Sequence, residues 1–241
     1  MATTDTPASA PTRARPRLEL VHDEVPKRLR AAREERKIGV REMARRLDVT
    51  ASAISQIETG RTRPSVSMLY AMVQELGMSL DELFEQGGSG GASAPSAAEG
   101  APTPAAGGGD DASGVQRADA RTKLVLETGV RWERLTPSAA GDVDFLFVTY
   151  PPGSATSVDG SLMRHAGHEY GLVLSGELEV TVGFDRHVLQ AGDSITFAST
   201  TPHLLRNATD QPVTGVWCVL GRRGSDWRTE PHGAKPAADV S

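Results

Sequence analysis

Two segments of the chain hold residues whose types and spacing could do chemistry. The first is VREMARRLDVTASAISQIETGRTRPS, residues 40–65. It reads as a short helix, a tight turn at Asp48-Val49-Thr50 and a second short helix. Helices joined in this way need a small residue where they touch, which Ala44 supplies. They also need a turn residue that tolerates an unusual backbone, which Asp48 accepts less easily than Gly would. Val49, Ile54 and Ile57 are placed to lock the second helix. Its N-terminal residues then face outward, as a helix entering a major groove requires. The second segment spans 163–183 and 191–207. There His165 precedes Glu169 by four residues and Gly176 follows seven later; Gly192, His203 and Asn207 come next.

The elements that must position these residues differ between the two halves of the chain. In the first half apolar residues recur at i, i+3, i+4 and i+7, as in Val40, Met43, Ala44, Leu47 and in Val66, Leu69, Tyr70, Val73. Pro26 suits a first helical turn. Thr50 and Ser65 are placed as N-caps, and Ser79 with Glu82 forms a capping box. Five helices are expected, at about 26–37, 40–47, 51–58, 65–76 and 80–86. The second half alternates apolar and polar residues at 143–150, 170–175, 177–182, 194–197 and 213–220. Many short strands separated by Gly, Pro and Asp predict a sandwich or barrel.

The chain has 241 residues, one cysteine and a net charge of -5. A uniformly basic nucleic-acid coat, a collagenous chain and a disulfide framework are thereby excluded. No apolar run approaches the roughly 20 residues of a membrane span. The N-terminus lacks the apolar core of a secretory signal, so a soluble, cytoplasmic protein is expected. The charge is uneven: residues 1–63 carry a net +5 and residues 64–241 a net -10. An anionic partner would therefore meet the N-terminal part. Residues 1–24 read as a disordered arm with Arg13, Arg15 and Arg17. The stretch 87–114 holds 9 Gly, 8 Ala, 4 Ser and 3 Pro among its 28 residues, too little apolar side chain to bury. A flexible linker is expected over 87–116, between folded units at 25–86 and 117–222, and a loose tail at 223–241.

With the Met43-Ala44 pair, the run V-T-x-x-x-I-S-x-I-E-x-G at 49–60 and Pro64, the first unit resembles the lambda-repressor-like (XRE or Cro/C1-type) helix-turn-helix family, with its motif at 40–59. The resemblance implies a five-helix domain that binds an operator in double-stranded DNA. Thr50, Ala51, Ser52, Ser55 and Gln56 then take the base- and phosphate-facing places, and Gln56 suits a bidentate contact with adenine. Arg61 and Arg63 would hold phosphates, and Glu58 would brace the fold against Arg33. The family's usual Ser cap and following Gln are Gly39 and Val40 here. That removes one expected phosphate contact, which Arg41 is placed to replace.

The second unit resembles the cupin superfamily, a double-stranded β-helix barrel. His165, Glu169 and Gly176 match its first motif; Gly192, His203 and Asn207 match the second. The stretch 129–137 looks like the opening strand of cupins that follow this type of DNA-binding unit. The family's metal site takes three histidines and a glutamate. Met163 stands in the place of the first histidine, and a thioether is a poor ligand for a hard divalent ion. His165, Glu169 and His203 remain, a possible 2-His-1-carboxylate set. Three readings stay open: a divalent metal, a metal-free pocket for an organic effector, and an internally satisfied cluster. Strand alternation points His168 away from the pocket. Cys218 reads as a buried structural thiol, and Trp132 and Trp217 as core or dimer-interface residues.

The combined expectation is a transcriptional regulator, a repressor that is not an enzyme. Its cupin domain dimerises and senses a small-molecule effector. A homodimer is expected because two half-sites lie about 34 Å apart. The alternatives are a metal-dependent cupin enzyme with an attached autoregulatory DNA-binding domain, and a helical unit that binds protein rather than DNA.

Overall fold

The computed structural model describes residues 20–84, 114–137 and 143–221. Most of the expected arm, the linker up to residue 113 and the expected tail lie outside the described residues.

The N-terminal unit consists of α1 (Leu20–Glu35), α2 (Val40–Arg46), α3 (Ala51–Glu58), α4 (Val66–Glu75) and α5 (Leu80–Phe84). Four of the five match the periodicity closely. Helix α1 differs, because it begins at Leu20 and carries Pro26 inside. A proline there forfeits one backbone bond, but Val25, Pro26 and Leu29 are all buried, and that packing carries the helix through. The turn between α2 and α3 rests on Asp48, whose φ of 54° lies in the left-handed region. Thr50 and Ser65 cap α3 and α4 by accepting from the Ala53 and Met68 amides at 3.1 and 3.2 Å. Ser79 Oγ accepts from the Glu82 amide at 3.1 Å. Leu29, Met43, Ile54, Leu69 and Met72 fill the core with no exposed surface. Beside them Arg33 grips Glu58 with two parallel bonds of 2.6 and 2.7 Å. This bidentate geometry is the strong form of the pair, and it ties α1 to the C-terminal end of α3.

The C-terminal unit is built from β1 (Lys123–Val125), β2 (Arg131–Arg134), β3 (Val143–Tyr150), β4 (His168–Ser175), β5 (Glu177–Val182), β6 (Asp185–Gln190), β7 (Ser194–Ala198), β8 (His203–Arg206) and β9 (Val213–Leu220). They form a six-stranded sheet in the order β1-β2-β3-β9-β4-β7 and a three-stranded sheet β6-β5-β8, with every pairing antiparallel. Alternation sends Glu169 and Val173 of β4 inward, with Val213, Trp217 and Val219 of β9. Apolar alternation did not reveal β6 or β8. Strand β6 buries only Leu189, and β8 has four residues, one of them an inward histidine.

The two units touch. The Ser67 amide of α4 donates to the Thr156 carbonyl at 2.9 Å, and the Glu127 amide donates to the Pro64 carbonyl at 3.0 Å. Tyr70 of α4 meets Trp132 of β2 edge-on, with ring centroids 5.4 Å apart.

Candidate functional site

Two sites are brought together, one on each unit. On the helical unit Ser52, Ser55 and Gln56 lie exposed along α3, with Thr50 at its start. Ala51 is half-buried. Gln56 is held by two long bonds, donating to Ser52 Oγ at 3.3 Å and accepting from Thr62 Oγ1 at 3.2 Å. Arg41, Arg61 and Arg63 are exposed, and among the described residues none forms an ion pair. Neighbouring arginines differ: Arg45 and Arg46 both bind Glu42 at 2.7 Å, and Arg46 also binds Glu75. Those two guanidinium groups, which donate to it, hold the Glu42 carboxyl down at about 2. These three uncommitted arginines, Arg41, Arg61 and Arg63, lie at the start of α2 and in the loop after α3.

In the barrel His165, Glu169 and His203 are all buried and come from three places in the chain. Glu169 leaves β4 facing inward, His203 opens β8, and His165 sits in the loop before β4. The Glu169 Oε1 atom lies 3.0 Å from His165 Nε2 and 3.1 Å from His203 Nε2. Neither the His165 nitrogen nor this oxygen makes a hydrogen bond of proper direction. One ligand-type atom from each of the three residues lies within 4.8 Å of the other two.

The outer shell explains the aim. Nδ1 of His165 lies 2.9 Å from the Ala166 carbonyl, and Nδ1 of His203 lies 2.8 Å from that of Thr201. A carbonyl only accepts, so each Nδ1 carries its proton and a neutral ring turns a lone pair inward at Nε2. Trp217 Nε1 donates to Glu169 Oε2 at 2.8 Å and leaves Oε1 facing the histidines. Two lone pairs and a carboxylate oxygen at such distances repel unless a proton or a cation sits among them. Burial opposes ionisation of Glu169, but the two imidazoles overcome it and hold the carboxyl below its usual range. Burial likewise opposes charging of His203, and Glu169 outweighs it, raising the imidazole above its ordinary value.

Trp217 and Trp132 are therefore walls of this site, not only core residues. The Trp217 indole lies over Gly171, where any Cβ would collide with the ring. Tyr70 also belongs to the site: its ring stacks on His165, with planes 8° apart and centroids 4.2 Å apart. His168 faces outward to Thr196 Oγ1 at 3.0 Å. Met163 lines the pocket beside the three polar residues. Cys218 is half-exposed on the outer face of the sheet rather than buried, and burial with the nearby Asp144 raises its thiol pKa.

The Helix-turn-helix family model matches residues 29–83, and the Cupin domain model matches residues 146–219. The HTH-type transcriptional regulator PuuR of Escherichia coli (strain K12) is 28% identical over 187 residues, covering 76% of this chain and 87% of that protein. The chain carries an XRE-type helix-turn-helix domain followed by a cupin domain. A crystal structure of an HTH_3 family transcriptional regulator from Vibrio cholerae shares this chain's fold at a TM-score of 0.55. Its identity is 19%, and the match covers 83% of this chain and 97% of that one. Hydroxypropylphosphonic acid epoxidase from S. wedmorenis covers the same share at 22% identity, but its TM-score is 0.38, too low to bear on activity. Among the described residues no helix is long and apolar enough to cross a membrane.

Proposed function

We propose that this regulator binds a duplex operator as a homodimer and represses in the cytoplasm. Its folded units at 25–86 and 117–222 have separate tasks, and the barrel senses a small molecule without catalysing a reaction. The observation that carries DNA binding is the set of uncommitted arginines, Arg41, Arg61 and Arg63, flanking the exposed Ser52, Ser55 and Gln56. Phosphates take the guanidinium groups and fix register, while the helix side chains read base edges. Gln56 gives up only two long bonds to do so. Replacing Gln56 and Ser52 together by alanine abolishes discrimination between operator and random duplex while the barrel stays folded. Specific binding that survives the double substitution refutes this assignment.

Dimerisation is assigned to the outer face of the six-stranded sheet. Phe145 of β3 and Tyr170, Leu172 and Leu174 of β4 are exposed there, on the two strands that flank β9. Such an apolar face suits a second copy of this chain, since paired half-sites require two helical units.

One observation favours a metal in the barrel: His165 Nε2 and Glu169 Oε1 are buried and unsatisfied. His165, Glu169 and His203 would hold a divalent cation as two nitrogen ligands and one oxygen, and they fit it through their aimed lone pairs. When bound, such an ion supplies Lewis acidity and an anchor for an anionic or carbonyl oxygen. The chain's own residues orient the set: Trp217 turns the carboxylate, and the Ala166 and Thr201 carbonyls fix the imidazoles. Metal analysis of the purified protein beside a His165→Ala/His203→Ala variant is the test. One ion per chain, lost in the variant, is the expected result.

A further inference from the structure

The barrel pocket is closed by the DNA-binding unit. Strands and loops of the barrel supply most of its wall, and α4 supplies the rest with Val66 and Tyr70. The Tyr70 ring covers the His165 imidazole face to face. The space left inside is about 20 Å³. A water needs about 10–15 Å³ of such space, so one water or one ion fits. Sites for organic ligands begin at roughly 300 Å³. Helix α4 cannot yield alone, because its Leu69, Met72 and Val73 are buried in the helical core. Moving Tyr70 off the pocket moves the whole unit, and with it the two backbone bonds to Thr156 and Glu127.

We propose that Tyr70, carried by the DNA-binding unit, is a residue of the barrel's ligand site, and that an organic ligand enters only as that unit leaves the barrel. The inference rests on the sensing function proposed above. A ligand and the docked unit compete for one space, so each weakens the other by the same factor. A bare ion fits beneath Tyr70 and does not compete. Undocking also frees the recognition helix: Gln56 and Arg63 line a cleft of about 640 Å³ between the units, opposite Glu127, Asp159 and Arg164. The competing route is Met163, the one described residue that lines both the cleft and the pocket. Its unbranched side chain could swing aside without undocking.

The test uses the full chain with Val148→Cys, which places a thiol in the pocket wall, and Cys218→Ser. The probe is dithiobis-nitrobenzoate, an aromatic thiol reagent far larger than a water. Labelling of the introduced thiol is expected to be slow, to speed up about tenfold or more with Tyr70→Ala, and to stay slow with Tyr70→Phe. Amide exchange at Ser67, whose acceptor is the barrel's Thr156 carbonyl, is followed in parallel. If the thiol labels faster than Ser67 exchanges, the pocket opens without undocking and the proposal is overturned, even should Tyr70→Ala unfold. Acceleration by Met163→Ala but not by Tyr70→Ala overturns it as well and assigns entry to the cleft. Labelling reads only the lid, and the effect of ligands on operator binding is read separately. Failure of the lid and failure of the sensing function are thus told apart.

Discussion

Glu169 divides its two oxygens between tasks. Oε2 is fixed by the Trp217 indole, and Oε1 is presented to two imidazoles. Replacing Trp217 by phenylalanine frees the carboxylate to rotate, and loss of such an outer-shell bond lowers metal affinity about 10- to 100-fold. Competition against a chromophoric chelator measures this, and an unchanged affinity removes Trp217 from the site. The same residues predict a pH profile for the metal-free protein. Glu169 has a depressed pKa, so it stabilises the fold above its unfolded value of 4.5, and that contribution is lost as pH falls through its folded value. His203 has a raised pKa, so it stabilises below its unfolded value of 6.5, and that contribution is lost as pH rises through its folded value. Urea midpoints should therefore decline on the alkaline side, and His203→Gln should flatten that limb. The histidine and glutamate spacing was legible in the sequence because His165, Glu169 and His203 fall at the places of the two cupin motifs that the segment resembles. The Trp217 bond was not, because it joins residues 48 apart through a strand pairing that no local pattern encodes.

Among the elements, the turn before the recognition helix was the most readable. A non-glycine residue held at φ 54° is a local cost, of about 1 kcal/mol for an L side chain. Asp48→Gly should raise the melting temperature of the helical unit, and a fall would show that the Asp48 side chain contributes more than its backbone costs. Thr50→Ala should act the other way, losing the cap on Ala53 and about 1 kcal/mol, read in the same thermal melts. Caps and turns are legible because they are satisfied within four residues. Strands β6 and β8 were not, because their register comes from β5 on either side and their own residues carry little alternation. Pro26 misplaced the start of α1 for the same reason: a local preference gave way to burial of its neighbours.

At the scale of the whole molecule, the charge asymmetry of the sequence has a counterpart in Arg41, Arg61 and Arg63, which lie exposed and without ion pairs among the described residues of the helical unit. Replacing Arg61 and Arg63 by alanine should weaken binding to all duplex sequences and lower the salt slope by about one for each phosphate no longer neutralised. An unchanged slope would place the phosphates elsewhere. If the outer sheet face joins two copies, Tyr170→Asp with Leu172→Asp should give a monomer by sedimentation and lose operator affinity. A dimer that persists would move the interface. The sequence foretold two units but not their packing against each other, since Tyr70 fits the helical periodicity that any core residue would show. Its second role appears only where the barrel mouth meets it.

The recognition helix has eight residues. At 1.5 Å per residue it is about 12 Å long, which spans only about three or four base pairs. A word of four letters occurs by chance about once in every 256 positions, so one helix carries far too little information to find a promoter among about a million competing sites. A pair of helices held in fixed register multiplies the two improbabilities. Whatever loosens the pairing therefore returns each helix to reading a word that is everywhere. For a reader this short, regulation does not require abolishing contact with DNA. It is enough to make the address ambiguous.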